Sequence, residues 1–310
     1  MASYSGGSNP DVIKTAIDDV FYQEHNVESH PQYATAETPA VFHQDTAESS
    51  AVIWDAFKGS GLWETRAEEQ DVPQGTPTVG GQKTFTVTNY AKSIEISKNF
   101  FDDNMHGAYE KAVRNFAANA RKTRDNNAFA VFRNSFGTAT TYDGTAIFSN
   151  THTNRGGYTI DNLLTGDLSE TTLNTAIVQL LELKSQDGVV GGSIPATLLV
   201  APAGYKLACE ITESELRSGT PDNDMNVYSD KYGIRVLTSQ WLGAAATGGD
   251  DDAWFLLSDD HSFYRFVRQG VNTVLVDWKI ARNNNYIYKG EFREVVGAFS
   301  FEGAVASAGV

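Results

Sequence analysis

Cysteine is nearly absent: Cys209 stands alone in 310 residues, which excludes a disulfide scaffold and any zinc centre built on several thiolates. Cations are scarce too, 24 Lys and Arg against 39 Asp and Glu, leaving a net charge of −15. That balance argues against holding nucleic acid by counterion release, which needs clustered cations. It equally disfavours adsorption to anionic membranes. No apolar run approaches the roughly 20 residues of a membrane span. The first residues, MASYSGGSNPDV, carry neither the basic nor the apolar stretch of a signal peptide. The expectation is a chain made and kept in the cytoplasm, or in something assembled there.

The motifs of common chemistry are missing as well. There is no G-x-x-x-x-G-K-[ST] loop, no G-x-S-x-G elbow, no H-E-x-x-H, and no histidine pair at helical i, i+4 spacing. Near-misses fail on physical grounds. The glycines from Gly188 to Gly192 lead toward Pro195 instead of into a helix N-terminus. Asp222, Asp224 and Asn226 match the first, third and fifth positions of a calcium loop, but Val227 stands where the turn needs glycine and Gly233 where a bidentate Glu is needed. Asp250, Asp251 and Asp252 are successive and do not converge on one centre, so they read as a solvated loop. His25 and His30 lie in a polar segment without further ligands, and His152 sits in a polar loop suited to local hydrogen bonds. Cys209 reads as a buried packing residue. No catalytic, cofactor-binding or metal-ligating residue is assigned, no cofactor is expected, and the chain does not read as an enzyme.

With 41% hydrophobic residues there is material for a sizeable core. The N-terminal fifty residues are a poor start for it, with Lys14 their only cation against eight carboxylates. Val12, Ile13, Ile17, Val20 and Phe21 fit one short amphipathic helix, and His25 to Ala47 reads as an extended arm. Ala51 to Lys58 (AVIWDAFK) reads as a short helix stopped by Gly59-Ser60-Gly61. Leu62 to Glu69 and Lys83 to Ile96 read as the two strands of a long hairpin, whose tip, Asp71 to Gln82, has little to bury. A helical stripe through Phe101, Met105, Tyr109, Val113, Phe116 and Ala120 to Phe136 predicts a helix of roughly 48 Å from about Met105. Its other face, with Lys111, Arg114, Arg121, Lys122, Arg124 and Arg133, reads as solvated or as a strut between partners.

Beyond residue 166 the pattern is α/β. Ser169 caps a helix through Leu183; Ala196 to Ala201, Ile234 to Leu242 and Ala253 to Ser258 read as strands; Pro202 to Glu213 reads as a helix. Four further β stretches follow: Phe263 to Val267, Asn272 to Trp278, Tyr286 to Tyr288 and Phe292 to Phe301. The fold class is α+β.

This order resembles that of a tailed-phage major capsid protein with the Hong Kong 97-like fold, and within it the Mu-like major head subunit family. The residues that carry the resemblance are Ile94 to Asp103 (IEISKNFFDD), Ala146 to His152 (AIFSNTH), Asn162 to Gly166 (NLLTG), Pro195 to Pro202 (PATLLVAP), Ser214 to Thr220 (SELRSGT), Asn223 to Asn226 (NDMN) and Ala253 to Leu257 (AWFLL). The resemblance implies an N-terminal arm at 1–50, a short helix and E-loop hairpin at 51–98, a P-domain with its spine helix at 99–165, an axial α/β A-domain at 166–262, and return strands completing the P-domain at 263–310. It implies a structural subunit that self-assembles, as hexamers and pentamers, into an icosahedral shell around double-stranded DNA bound without sequence specificity. A separate scaffolding protein and a portal are the implied partners, no membrane is involved, and the location is the virion, assembled in host cytoplasm. An encapsulin-like compartment shell is the alternative on the same fold. Lys83 and Asn89 are residue types that some relatives crosslink, and no crosslink is assigned here.

Overall fold

The computed structural model describes residues 10–27, 30–97, 106–214, 226, 228, 232–276 and 285–309. Its first element is α1 (Pro10–His25), which turns Ile17 and Phe21 fully inward. After a looped stretch come β1 (His43–Thr46), β2 (Ala51–Lys58), β3 (Thr78–Thr86) and β4 (Thr88–Ser97). Helix α2 (His106–Arg133) follows, about 42 Å long at 1.5 Å per residue. Val113, Phe116, Ala117, Ala128, Phe129 and Phe132 recur on one side of it and are buried. Short strands β5 (His152–Thr153), β6 (Thr159–Ile160) and β7 (Leu163–Leu164) lead to α3 (Glu170–Glu182). Ser169 opens α3 with a capping box, its hydroxyl accepting from the Thr172 N–H while Thr172 answers the Ser169 N–H. Then come β8 (Pro195–Val200), a 3₁₀ turn (Pro202–Gly204), α4 (Tyr205–Thr212), β9 (Arg235–Thr238), β10 (Trp254–Ser258), β11 (Phe263–Val276), β12 (Asn285–Ala298) and β13 (Ala304–Ser307).

Two sheets organise these elements. The five-stranded one runs β7-β13-β10-β8-β9 and is covered on both faces. Leu199, Leu237, Phe255 and Leu257 pack toward Phe129 and Phe132 of α2; Leu198, Val200, Trp254 and Leu256 pack toward Leu173, Ile177 and Leu180 of α3. Burial on both sides is why its central strands read as continuous apolar runs without alternation. The four-stranded sheet runs β1-β11-β12-β4. One face carries Tyr286 and Tyr288 against α1 and α2; the other receives the β2–β3 hairpin, with Phe85 and Trp54 on Phe266 and Tyr264. Phe85 comes so close to β12 that a Cβ at Gly297 would sit 2.5 Å from its ring, so only glycine fits there. The β11–β12 ladder slips register between Val267 and Gln269 and again between Gln269 and Asn272.

Several expectations need correction. Ala51–Lys58 is a strand, not a helix: Ala56 faces inward while Ile53, Asp55 and Phe57 are exposed, a period of two. Leu62 to Glu69 forms no strand and lies in the irregular loop between β2 and β3. The run Lys83 to Ile96 is two strands, since β3 ends at Thr86 and β4 joins the other sheet. Phe263 to Trp278 is one strand as far as Val276, with Trp278 outside the described residues, and Tyr286 to Phe301 is one strand to Ala298. The N-terminal segment is no coreless arm: Val41 and Phe42 are 0% exposed and pack with α2. Met105, Asn99 to Asp103, most of Ser214 to Thr220, and Asp222 to Asp224 with Val227 lie outside the described residues.

Candidate functional site

The cationic side of α2 does not simply face solvent. It fastens the N-terminal segment. Arg124, only 8% exposed, reaches Glu37 at 2.6 Å through Nη2 and Glu294 at 3.6 Å through Nε. Arg265 of β11 donates through Nε (2.9 Å) and Nη2 (2.5 Å) to Glu294 Oε2 on β12, and through Nη1 to Gln44. Arg121 donates to the carbonyls of Glu24 and Val27, Arg133 to that of Trp241. The Ala36 N–H donates to Asp125, and the Ala34 N–H to the carbonyl of Thr238 in β9. Burial alone would raise the Glu37 carboxyl, but the Arg124 charge outweighs it and holds the group below its usual range. The sequence carried one signal for this cluster: Arg265 interrupts the apolar run Phe263 to Val267, while Glu294, beside Arg293, does not stand out.

The polar residues of the motif-bearing loops make structural hydrogen bonds. His152 is fully buried, its Nδ1 2.7 Å from Asp143 Oδ2, its Nε2 3.1 Å from the Ile147 carbonyl, and its ring stacked on Phe301. Burial works against the Asp143 charge, but hydrogen bonds from His152, Thr141 and the Thr145 N–H outweigh it and hold the carboxyl at about 2. Asn162 donates to the Ile147 carbonyl and accepts from the Ser149 N–H. Ile147 and Phe148 are buried. The stretches AIFSNTH and NLLTG thus knot the end of α2 to the five-stranded sheet.

The remaining candidates are scattered. His25 stacks on Phe21 and His30 lies edge-on to Tyr33. The His43 and His261 rings lie tilted against each other with centroids 4.3 Å apart, and His261 is 2% exposed; sequence reasoning did not find this pair, because 217 residues lie between its members. Asp250 and Asp251 accept backbone N–H groups of their own loop. Asn226 donates to the carbonyls of Ile211 and Ser214. The Gly188 region is a tight turn, with Gly188 at φ 78°. Lys83 donates to the carbonyl and hydroxyl of Thr140, and burial pushes its ammonium pKa down against the pull of Asp143. Cys209 is partly rather than fully buried, at the edge of the cluster beneath α4, and burial pushes its thiol up. Among the described residues no three His, Cys, Asp or Glu side chains converge as a metal site, and no helix is long and apolar enough to cross a membrane.

What the surface does offer is bare apolar area on the hairpin. Trp63 is 98% exposed, Leu62 75%, Val72 66% and Phe57 58%. The hairpin's root is docked: Lys83 holds Thr140, and Gly81, at φ 80°, lies under Arg155 and Tyr142 so closely that a Cβ would sit 2.0 Å from the guanidinium. The loop beyond the root leaves its large side chains in solvent.

Comparison with known proteins places this architecture. A family model described as phage capsid protein matches residues 81–307. No curated protein matches the sequence. Among solved structures, the bacteriophage PhiM1 mature capsid aligns with a TM-score of 0.59 at 13% identity, covering 91% of this chain and 89% of that one. The capsid of the cyanophage P-SCSP1u aligns at 0.58 and 12% identity, covering 92% and 91%. A virus-like particle from Pyrococcus furiosus aligns at 0.54 and 12% identity, covering 94% and 98%. At such identities the likeness is one of fold.

Proposed function

This chain belongs to the phage capsid protein family, and from that premise we propose that copies of it close, as hexamers and pentamers, into an icosahedral shell around double-stranded DNA. Its fold is the Hong Kong 97-like capsid fold, and it is a structural major capsid subunit of a virion, not an enzyme. The observation that carries the assembly reading is the hairpin: a docked root and a loop whose Trp63 is 98% exposed suit a contact completed by a neighbouring copy. In this reading residues 51–98 act as the E-loop, 1–50 as an N-terminal arm, 99–165 with 263–310 as the P-domain, and 166–262 as the axial A-domain. The net charge of −15 keeps the shell from gripping the DNA it encloses. The motifs AIFSNTH, NLLTG and PATLLVAP support placement in the Mu-like subfamily. A separate scaffolding protein and a portal complete the assembly, which takes place in host cytoplasm.

Negative-stain microscopy and sedimentation of the purified protein, alone and with its co-expressed scaffold, test this. Uniform closed particles, or discrete pentamers and hexamers, are expected. A chain that stays monomeric at all concentrations overturns the reading.

A further inference from the structure

We infer that Trp63 of one copy seats in an apolar groove between α2 and the edge strand β4 of a second copy. The inference rests on the shell reading above and names the place where the hairpin loop lands. β4 is an outer strand of its sheet, and between it and α2 lies a groove of about 300 Å³. Phe21, Phe116 and Phe292 form its floor, Lys92, Asn119 and Thr123 its rim, and no carboxylate lines it. Such a site, an aromatic bed with polar groups at the edge, suits one large amphipathic ring whose N–H can reach the rim.

Two further observations select the occupant. Trp63 is almost wholly in solvent, so it does not fill the groove of its own chain. The loop that carries it, residues 59–77, holds Glu64, Glu68, Glu69 and Asp71 against Arg66 alone, and Arg66 spends its Nε–H on the Gln70 carbonyl. The groove, by contrast, is lined by Lys92 and by no acid, and Lys92 is exposed. An acidic loop meeting Lys92 at the rim fixes register, while the indole supplies the buried anchor. The larger cavity beside the N-terminal segment, of about 460 Å³, is a poorer match for an indole, because Arg121, Arg124, Arg235, Glu37 and Asp125 line it and no phenylalanine forms a floor.

The test uses the full chain in assembled particles. With Trp63 intact, Glu64→p-benzoylphenylalanine is irradiated and the crosslinked peptides are mapped by mass spectrometry. Crosslinks from position 64 to residues 89–92 or 116–123 of another copy are expected. Trp63→Ala should raise the concentration needed for assembly at least tenfold without moving the monomer's melting temperature, and Trp63→Phe should recover part of that loss. Thr123→Trp, which fills the groove from an exposed helix position, should do the same as Trp63→Ala. Particles whose crosslinks map elsewhere, or that form equally well with Trp63→Ala, overturn the docking inference and leave the shell reading standing. A wild-type chain that forms no particle overturns both.

Discussion

His261 is where pH should reach the fold. Its neutral ring accepts from the Phe263 N–H, and burial together with the neighbouring His43 pushes its pKa down to about 4 from an ordinary 6.5. The folded state therefore resists a proton that the unfolded chain accepts. This contribution is unaffected above about pH 6.5 and is progressively lost as pH falls from there toward 4, up to about 3 kcal/mol at 1.36 kcal/mol per unit. Urea midpoints of the wild type and His261→Gln, compared at pH 7 and 4.5, should show a smaller acid loss in the variant. Equal losses would place the acid sensitivity elsewhere. Arg265 makes a complementary case, since both it and Glu294 are 3% exposed at the side chain. Arg265→Ala leaves a buried carboxylate facing only Arg124, and should cost about 3–5 kcal/mol of unfolding free energy. Arg265→Lys, unable to offer two N–H groups to one oxygen, should fall between the two. A loss under 1 kcal/mol for Arg265→Ala would mean the pair is not buried in solution.

Among elements, the hairpin depends on its root. At Gly81 any side chain meets both a left-handed backbone, at φ 80°, and the Arg155 guanidinium with the Tyr142 ring. Gly81→Val should cost about 1–3 kcal/mol locally and make the 59–77 loop a faster target for limited proteolysis, while circular dichroism stays that of the wild type. Unchanged cleavage would show that the root is not held there. The same elements show what sequence can convey. Long periodic or doubly buried runs were legible: α2, α3 with its Ser169 cap, β8 and β10. Short runs were not. AVIWDAFK has apolar residues at spacings that fit either period, and only its partner β3 decides for a strand. LWETRAEE is β-like in composition but has no sheet to join. Phe263 to Val276 read as two strands because Arg268, Gln269 and Gly270 interrupt the apolar pattern, yet pairing with β12 carries the ladder through. AVAS at 304–307 is too small and short to stand out, although all four residues are buried. Of the surface that matters for assembly, the hairpin tip's lack of anything to bury was readable; the groove was not, since its floor comes from three separate segments.

At the scale of the whole molecule, the N-terminal segment behaves as core. Ile17, Phe21, Val41 and Phe42 are each 0% exposed, and burying such a side chain is worth about 1.5–3 kcal/mol. Deleting residues 1–47 thus removes an amount comparable with the roughly 5–15 kcal/mol total of a domain. The truncated chain should lack a cooperative melt and be recovered as aggregate. A cooperative transition near the wild-type temperature would show instead that the segment is dispensable to the subunit.

The two register slips in the β11–β12 ladder have a consequence at this scale. That ribbon, about 46 Å long at roughly 3.3 Å per residue, spans the four-stranded sheet, and its pairing is irregular only from Val267 to Asn272. Unpaired residues let a ribbon twist and bend where regular pairing would resist. In the icosahedral shell proposed above, copies around five-fold and six-fold axes would tilt differently to close one curved surface, and a joint inside each subunit would let one sequence meet both curvatures with its contacts intact. Amides at 267–272 should exchange hydrogen faster than those on either side, and freezing that joint by restoring regular pairing should favour flat sheets of subunits over closed ones.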